Sequence, residues 1–258
     1  MSLIKTEISG KVFKIIFNRP EKFNSFIRQM ALEMQDTLDK AAADKNVRCI
    51  FITGEGKAFH AGQDLSEAID ANGPGLKKIV SEHYNPIIQK LRAIPKPIVC
   101  AVNGVAAGAG ANIAFACDVV LAASSASFIQ AFSKIGLIPD SGGTYHLPRL
   151  IGIGKASALM MLGEKVSAAD AERMGMIYKV CDDDKLQQEA MAIAATLSEM
   201  PTKGLGLTKK LLNQSMFNSL EKQLEAELAE QVNAANSYDY TEGVKAFLEK
   251  RKAVFKGE

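Results

Sequence analysis

The stretch "PKPIVCAVNGVAAGAGANIAFACDVVLAA", residues 95–123, places an apolar run, a glycine turn, an alanine-rich segment and a second apolar run in succession. Its flanks, "KPIVCAVNG" (96–104) and "DVVLAAS" (118–124), are short and apolar, as buried strands are. The intervening "VAAGAGANIAFAC" predicts a turn that opens into a helix. Strand, helix and next strand form the unit that builds a parallel sheet, so the fold class is α/β.

The same logic extends in both directions. "VRCIFITG" (47–54) is another apolar strand ending in glycine, and "GKAFHAGQDLSEAI" (56–69) repeats the passage from strand through glycine to a helix start. Residues 5–17 alternate around Ser9-Gly10 as a hairpin would. Asn24-Ser25 is a candidate cap for a helix with Ile27, Met30, Ala31, Met34, Leu38 and Ala41 on one face. Residues 66–86, with "ANGPG" inside, predict a mobile loop. From residue 183 the pattern is helical, with a break at Pro201, and apolar Leu220, Leu224, Leu228 and Val232 recur every four positions. A body over 1–200 and a helical region over 201–258, packing on the body or on another subunit, is the expected organisation.

A chain of 258 residues, 47% of them hydrophobic, can bury a substantial core. The 31 basic and 29 acidic residues are interspersed, so there is no footprint for nucleic acid or an anionic membrane. No segment has the ~18 uninterrupted apolar residues of a membrane span, and the start has no signal-like apolar core. A cytoplasmic location is expected. Cys49, Cys100, Cys117 and Cys181 are widely spaced with no CxxC pair, which fits reduced core residues and no metal site.

"LIPDSGGT" (137–144) poses a choice between a serine nucleophile and an aspartate base. A trypsin-like triad needs an all-β, usually disulfide-bonded chain, whereas helical patterns surround His60 and His83 here. His60 beside Phe59 fits a packed structural role and His83 a solvated helix position, while His146 and Arg149, beyond the glycine turn, are placed to cap or pair locally. The two glycine turns invite a different chemistry. Helix N-termini expose unsatisfied N–H groups, and the amides of Gln63 and Ala109 are placed to hold an oxyanion. Close-packing turns are the plainer use of such glycines. A dinucleotide site is excluded, because a fingerprint beginning at Gly108 would need glycine where Ile113 stands.

Taken together, "NRPEKFNSF" (18–26), "GKAFHAGQDL" (56–65), the stretch 95–123, "FSKIGLIPDSGGTYHLPRLIG" (132–152) and "FLEKRKAVF" (247–255) resemble the enoyl-CoA hydratase/isomerase, or crotonase, family over essentially the whole chain. The resemblance implies a crotonase-like spiral of ββα units with a C-terminal helical trimerisation region, as a homotrimer or a hexamer of paired trimers. It implies an acyl-CoA thioester substrate, with coenzyme A as part of that substrate and no permanently bound cofactor. Its oxyanion hole falls on the N–H groups of Gln63 and Ala109. The two glutamates with which family hydratases activate water fall on Asn112 and Phe132, neither of which is a base.

Asp140 occupies a place where dienoyl-CoA and ring 1,2-epoxyphenylacetyl-CoA isomerases of the family carry aspartate, so the implied chemistry is proton shuttling in phenylacetate breakdown or 3-enoyl to 2-enoyl isomerisation. Burial beside Phe132 and Ile138 would raise its pKa. An Asx-turn is the plainer use of Asp140, and a helix-start role that of Asn112, whose other use would be to orient substrate. For CoA the resemblance points to Ala61, Asp64 and Leu65 at the adenine, Lys22 near the pantetheine or phosphates, and Phe247 with Lys250 from a neighbouring subunit. An ordinary basic helix end is the alternative for "EKRKAVFK". A hydratase using other groups, and a noncatalytic acyl-CoA-binding or RNA-binding relative, are the competing readings.

Overall fold

The computed structural model describes residues 2–258. The chain begins with a hairpin of β1 (Ile4–Ser9) and β2 (Val12–Phe17), followed by helix α1 (Arg28–Ala43). The first turn of the spiral is β3 (Cys49–Gly54), β4 (Ala58–His60) and α2 (Leu65–Ile69). A longer helical run then continues through α3 (Gly75–Lys78), a π-helical turn (Ile79–Tyr84) and α4 (Asn85–Ala93). The second turn is β5 (Ile98–Val102), β6 (Val105–Ala107) and α5 (Ala109–Phe115).

The third turn has β7 (Val119–Ala123), β8 (Ser127–Ile129), a 3-10 turn (Ala131–Ile135) and the helices α6 (Gly143–Ile151) and α7 (Ile153–Leu162). The strands β9 (Lys165–Ser167) and β10 (Lys179–Cys181) flank α8 (Ala168–Met174). Four helices close the chain: α9 (Leu186–Ser198), α10 (Thr202–Ser215), α11 (Leu220–Ala235) and α12 (Tyr238–Leu248).

Each spiral turn gives one strand to a six-stranded sheet, ordered β1-β2-β3-β5-β7-β10, and one to a four-stranded sheet, ordered β4-β6-β8-β9. All pairings are parallel except β1 with β2 and β8 with β9. Every residue of β3 and β5 is buried, as parallel strands covered on both faces require. Helix α5 is also buried along its whole length. Its sequence, Ala-Gly-Ala-Asn-Ile-Ala-Phe, is mostly small, which lets backbone approach backbone on every side.

Several expectations are corrected. Asn24 and Ser25 do not cap α1, whose N-cap is Ile27. Asn24 is buried in the left-handed region, where its side chain accepts from Arg19 N–H and donates to the carbonyls of Glu55 and Ala58. The 66–86 segment is largely helical, because Ile79, His83, Tyr84, Ile87 and Leu91 bury one face of the run. His83 is accordingly buried rather than solvated. The last helix ends at Leu248, and the chain turns so that Phe255 C=O accepts from Arg48. Helix α11 lies against α10, and its Leu220, Leu224, Leu228 and Val232 remain exposed in the single chain. All four cysteines are buried and free, as expected. No helix among the described residues is long and apolar enough to cross a membrane.

Candidate active site

The two glycine turns meet at the mouth of the spiral. Gly62 has φ +90°, and a Cβ placed there would lie 3.1 Å from the Ala107 carbonyl oxygen and 3.8 Å from the Ala109 nitrogen. Gly110 is packed still closer, since a Cβ there would stand 2.1 Å from the His60 carbonyl oxygen. Only residues without side chains at both positions let α5 dock against the end of β4.

Hydrogen bonding fixes where the amides point. Phe26 N–H donates to Gly62 C=O at 2.8 Å and Asp64 N–H donates to Phe26 C=O at 2.8 Å. In a trans peptide the carbonyl and the following N–H point opposite ways, so Gln63 N–H faces away from Phe26. Gly108 C=O likewise accepts from Asn112 N–H inside the first turn of α5, leaving Ala109 N–H aimed out of the helix N-terminus. Two neighbouring backbone donors are thus free to hold one oxygen.

His60 supports this turn from behind. It is fully buried, stacked on Phe26 at 4.1 Å, and its Nδ1 accepts from Gly62 N–H at 3.0 Å. Burial lowers its pKa to about 3, so it is neutral, with the hydrogen on Nε2. The packed role expected of it is the one observed.

Asp140 lies in the turn before α6, partly exposed. Burial pushes its carboxyl pKa above the ordinary aspartate value, and the Ser141 hydroxyl, donating to Oδ1 at 2.9 Å, pulls the other way without cancelling it. Phe132 is buried against Gly108, but Ile138 is 80% exposed and contributes little to this desolvation. Ser141 is buried, and no histidine hydrogen-bonds it among the described residues, so a serine triad is absent there.

Asn112 is fully buried. Its Nδ2 donates to Asp140 C=O at 2.8 Å and its Oδ1 accepts from Gln130 Nε2 at 2.8 Å. Both ends of the amide are therefore engaged within the protein. Gln130, unmarked in the sequence reading, joins the site through this link, and so does Glu67. The Glu67 carboxylate accepts from Gln63 Nε2 at 2.8 Å and from Arg28 N–H at 2.9 and 3.0 Å.

The residues singled out for CoA fall in two places. Ala61 N–H donates to Phe23 C=O at 3.0 Å, which sets Lys22, Ala61, Asp64 and Leu65 on one surface beside the oxyanion turn. Arg19 ties that surface together by a 2.8 Å ion pair to Asp64. Burial opposes ionisation of Asp64, but hydrogen bonds from Arg19 and Ser66 outweigh it and hold the pKa below the ordinary value. Phe247, 82% exposed, and Lys250 belong to the end of α12, from which the chain runs to the Arg48 and Thr202 side of the fold. His146 and Arg149 follow on α6, where the Arg149 guanidinium lies 3.8 Å from the Tyr145 ring centre and the His146 ring meets Tyr145 edge-on at 5.1 Å.

Residues 7–258 match the family model described as enoyl-CoA hydratase/isomerase. The chain belongs to the enoyl-CoA hydratase/isomerase family. The 1,2-epoxyphenylacetyl-CoA isomerase of Escherichia coli is 45% identical over 261 residues, covering 100% of both chains. A trans-2-decenoyl-(acyl-carrier-protein) isomerase of Streptococcus mutans is 36% identical, over 97% of each chain. The crystal structure of an enoyl-CoA hydratase from Bacillus anthracis superposes with a TM-score of 0.93 at 32% identity, covering 99% of this chain and 100% of that one. The crotonase-like spiral expected from the sequence is the fold, and the enoyl-CoA hydratase/isomerase family makes this chain an enzyme of acyl-CoA thioesters.

Proposed function

We propose that the protein is an acyl-CoA isomerase in which Asp140 is the acid and base. The thioester oxygen sits between Gln63 N–H and Ala109 N–H, which stabilise the enolate as charge moves onto it. Asp140 takes a proton from C2 of a 3-enoyl-CoA; the electron pair delocalises to the thioester oxygen, and the same proton returns at C4, leaving the double bond between C2 and C3. With a ring 1,2-epoxyphenylacetyl-CoA, the same enolate chemistry assists epoxide opening and expansion toward an oxepin. The E. coli relative at 45% identity supports the epoxide as natural substrate.

The observation that carries isomerisation over hydration is the pairing of one carboxyl of raised pKa with an amide and a phenyl ring, Asn112 and Phe132, where a water-activating pair would need carboxylates. A base with a pKa lifted toward the working pH can both take and return a proton. Asn112 and Gln130 position Asp140 through its carbonyl. Lys22, Ala61, Asp64 and Leu65 hold the CoA moiety, and Phe247 with Lys250 complete it from a second copy. The exposed Leu220, Leu224, Leu228 and Val232 face supports association of copies as a trimer or hexamer.

The test is mass spectrometry with ultraviolet monitoring of the wild type and Asp140→Asn, each given a 3-enoyl-CoA and a 2-enoyl-CoA. Double-bond migration without mass change, lost in the variant while CoA-ester binding persists, is the expected result. Full activity in Asp140→Asn, or addition of one water indifferent to that change, refutes the assignment.

A further inference from the structure

Three buried polar atoms near the oxyanion turn have no protein partner: His60 Nε2, Gln63 Oε1 and the Tyr84 hydroxyl. Tyr84 is the most informative of them. It is 0% exposed and ends the π-helical turn, a wide turn that is rare and frequent at functional sites. Its ring is near parallel to those of both Phe26 and His60, with centroids 6.0 and 6.5 Å away. One helical turn on, Ile88 faces Gly142, where an added Cβ would lie 3.5 Å from Ile88 Cγ2. Tyr84 and Ile88 share a helix face, so this face abuts the turn that carries Asp140.

Phenylalanine would preserve the ring stack and bury no orphan hydroxyl, so packing does not explain a tyrosine here. Burial first, and then the charges of Asp140 and Glu67, raise the phenol pKa well above its ordinary value, leaving a neutral hydrogen-bond donor close to both carboxylates. Glu67 already accepts from Arg28 N–H and Gln63 Nε2. Asp140 receives a side-chain hydrogen bond from Ser141 alone among the described residues, and that goes to Oδ1.

We propose that Tyr84 is a positioning residue for Asp140, its hydroxyl donating to Oδ2 in the substrate-bound site and holding the ionised carboxylate aimed at the acyl chain. This rests on Asp140 being the base. Tyr84 keeps its own proton throughout; the proton that moves is the substrate's.

The other titratable and charged groups on these elements are Glu67 of α2, Glu82 and His83 of the π turn, Lys134 of the 3-10 turn, and Tyr145, His146 and Arg149 of α6. Burial, with the Arg92 and Arg149 charges, lowers the His146 pKa to about 4. Burial, with the Arg28 charge, lowers that of His83. The Asp140 carboxyl responds to its burial and to Ser141 rather than to a neighbouring cation.

The test compares the pH profiles of the wild type and Tyr84→Phe on a 3-enoyl-CoA, with Asp140→Asn alongside. Loss of the donor should move the acid limb of kcat, which reports the substrate-bound enzyme, up by about one pH unit, a tenfold change in ionisation constant. The plateau kcat should fall several-fold with KM nearly unchanged. A purely structural Tyr84 would alter melting temperature and leave the acid limb in place, which overturns the proposal. An unmoved limb with an inactive Asp140→Asn defeats the Tyr84 role alone, whereas an active Asp140→Asn defeats the base assignment and the Tyr84 role together.

Discussion

Replacing Gly110 with alanine tests the oxyanion pair without touching any side chain of the site. The new Cβ would sit 2.1 Å from the His60 carbonyl oxygen, 2.8 Å from its carbon and 2.9 Å from His60 Cβ. Nonbonded heavy atoms come no closer than about 3 Å without strain and settle at roughly 3.5 to 4 Å. The start of α5 must therefore retreat from β4 by on the order of 1 Å, since the obstacle is backbone in a buried strand. Ala109 is the residue beside Gly110, so its N–H moves with the helix while Gln63 N–H stays tied to the Phe26 bridge.

A misplacement of about 1 Å costs on the order of 100-fold in rate, and outright loss of one oxyanion donor costs about 100- to 1000-fold. Gly110→Ala should thus lower kcat on a 3-enoyl-CoA by about 100-fold. Overpacking should also lower stability, by about 1 to 3 kcal/mol. Gly154→Ala is the control, for a Cβ there meets nothing within 4 Å on an exposed helix position. It should leave kcat unchanged and add up to about 1 kcal/mol of helix stability. Stopped-flow absorbance for kcat and urea melts for stability decide the matter. A folded Gly110→Ala protein with kcat within threefold of wild type would refute the two-amide geometry.

Asn112→Ala should strip Gln130 Nε2 of its partner in a buried setting, costing about 1 to 3 kcal/mol. Calorimetry should show a fall of about 2 to 10 °C in Tm, with a lower kcat as the Asp140 turn loosens. The raised pKa of Asp140 makes a signed prediction. Activity needs the carboxylate, so the acid limb of kcat/KM should lie above the ordinary aspartate value of about 3.9. Because burial penalises the charged form, the stability this group confers is complete below that ordinary value and is lost as pH rises through the raised one. Asp140→Asn should accordingly melt at or above the wild-type temperature at neutral pH, and a lower Tm there would show the carboxylate to be a net stabiliser.

The α/β character was legible in the sequence because its signals are local, whereas the spiral was legible only through the family resemblance. Apolar runs such as 98–102 become strands, and Gly10, Gly62 and Gly108 turn the chain after β1, β4 and β6. The family resemblance, together with the absence of carboxylates at Asn112 and Phe132, is what singles out Asp140 in the sequence. Local reading failed where a distant partner overrode it. Asn24 looks like a helix cap, but the carbonyls of Glu55 and Ala58 claim its side chain. Residues 66–86 carry loop-forming Gly73-Pro74-Gly75, yet the apolar face from Ile79 to Leu91 finds a core to cover.

The sequence by itself determined the order and kind of most elements, the helical run from Gly75 to Ala93 excepted, since strand and helix follow from residue pattern over a few positions. The tertiary structure decided which groups face one another. The direction of Gln63 N–H depends on Phe26, 37 positions earlier, occupying its neighbours' hydrogen bonds. That of Ala109 depends on a helix that can dock only where His60 leaves no room for a Cβ. The orphan hydroxyl of Tyr84 is invisible until its ring is stacked on Phe26 and buried. Hydrogen-bond direction and desolvation depend on atoms close in space rather than along the chain, so the chemistry emerges only once the spiral closes.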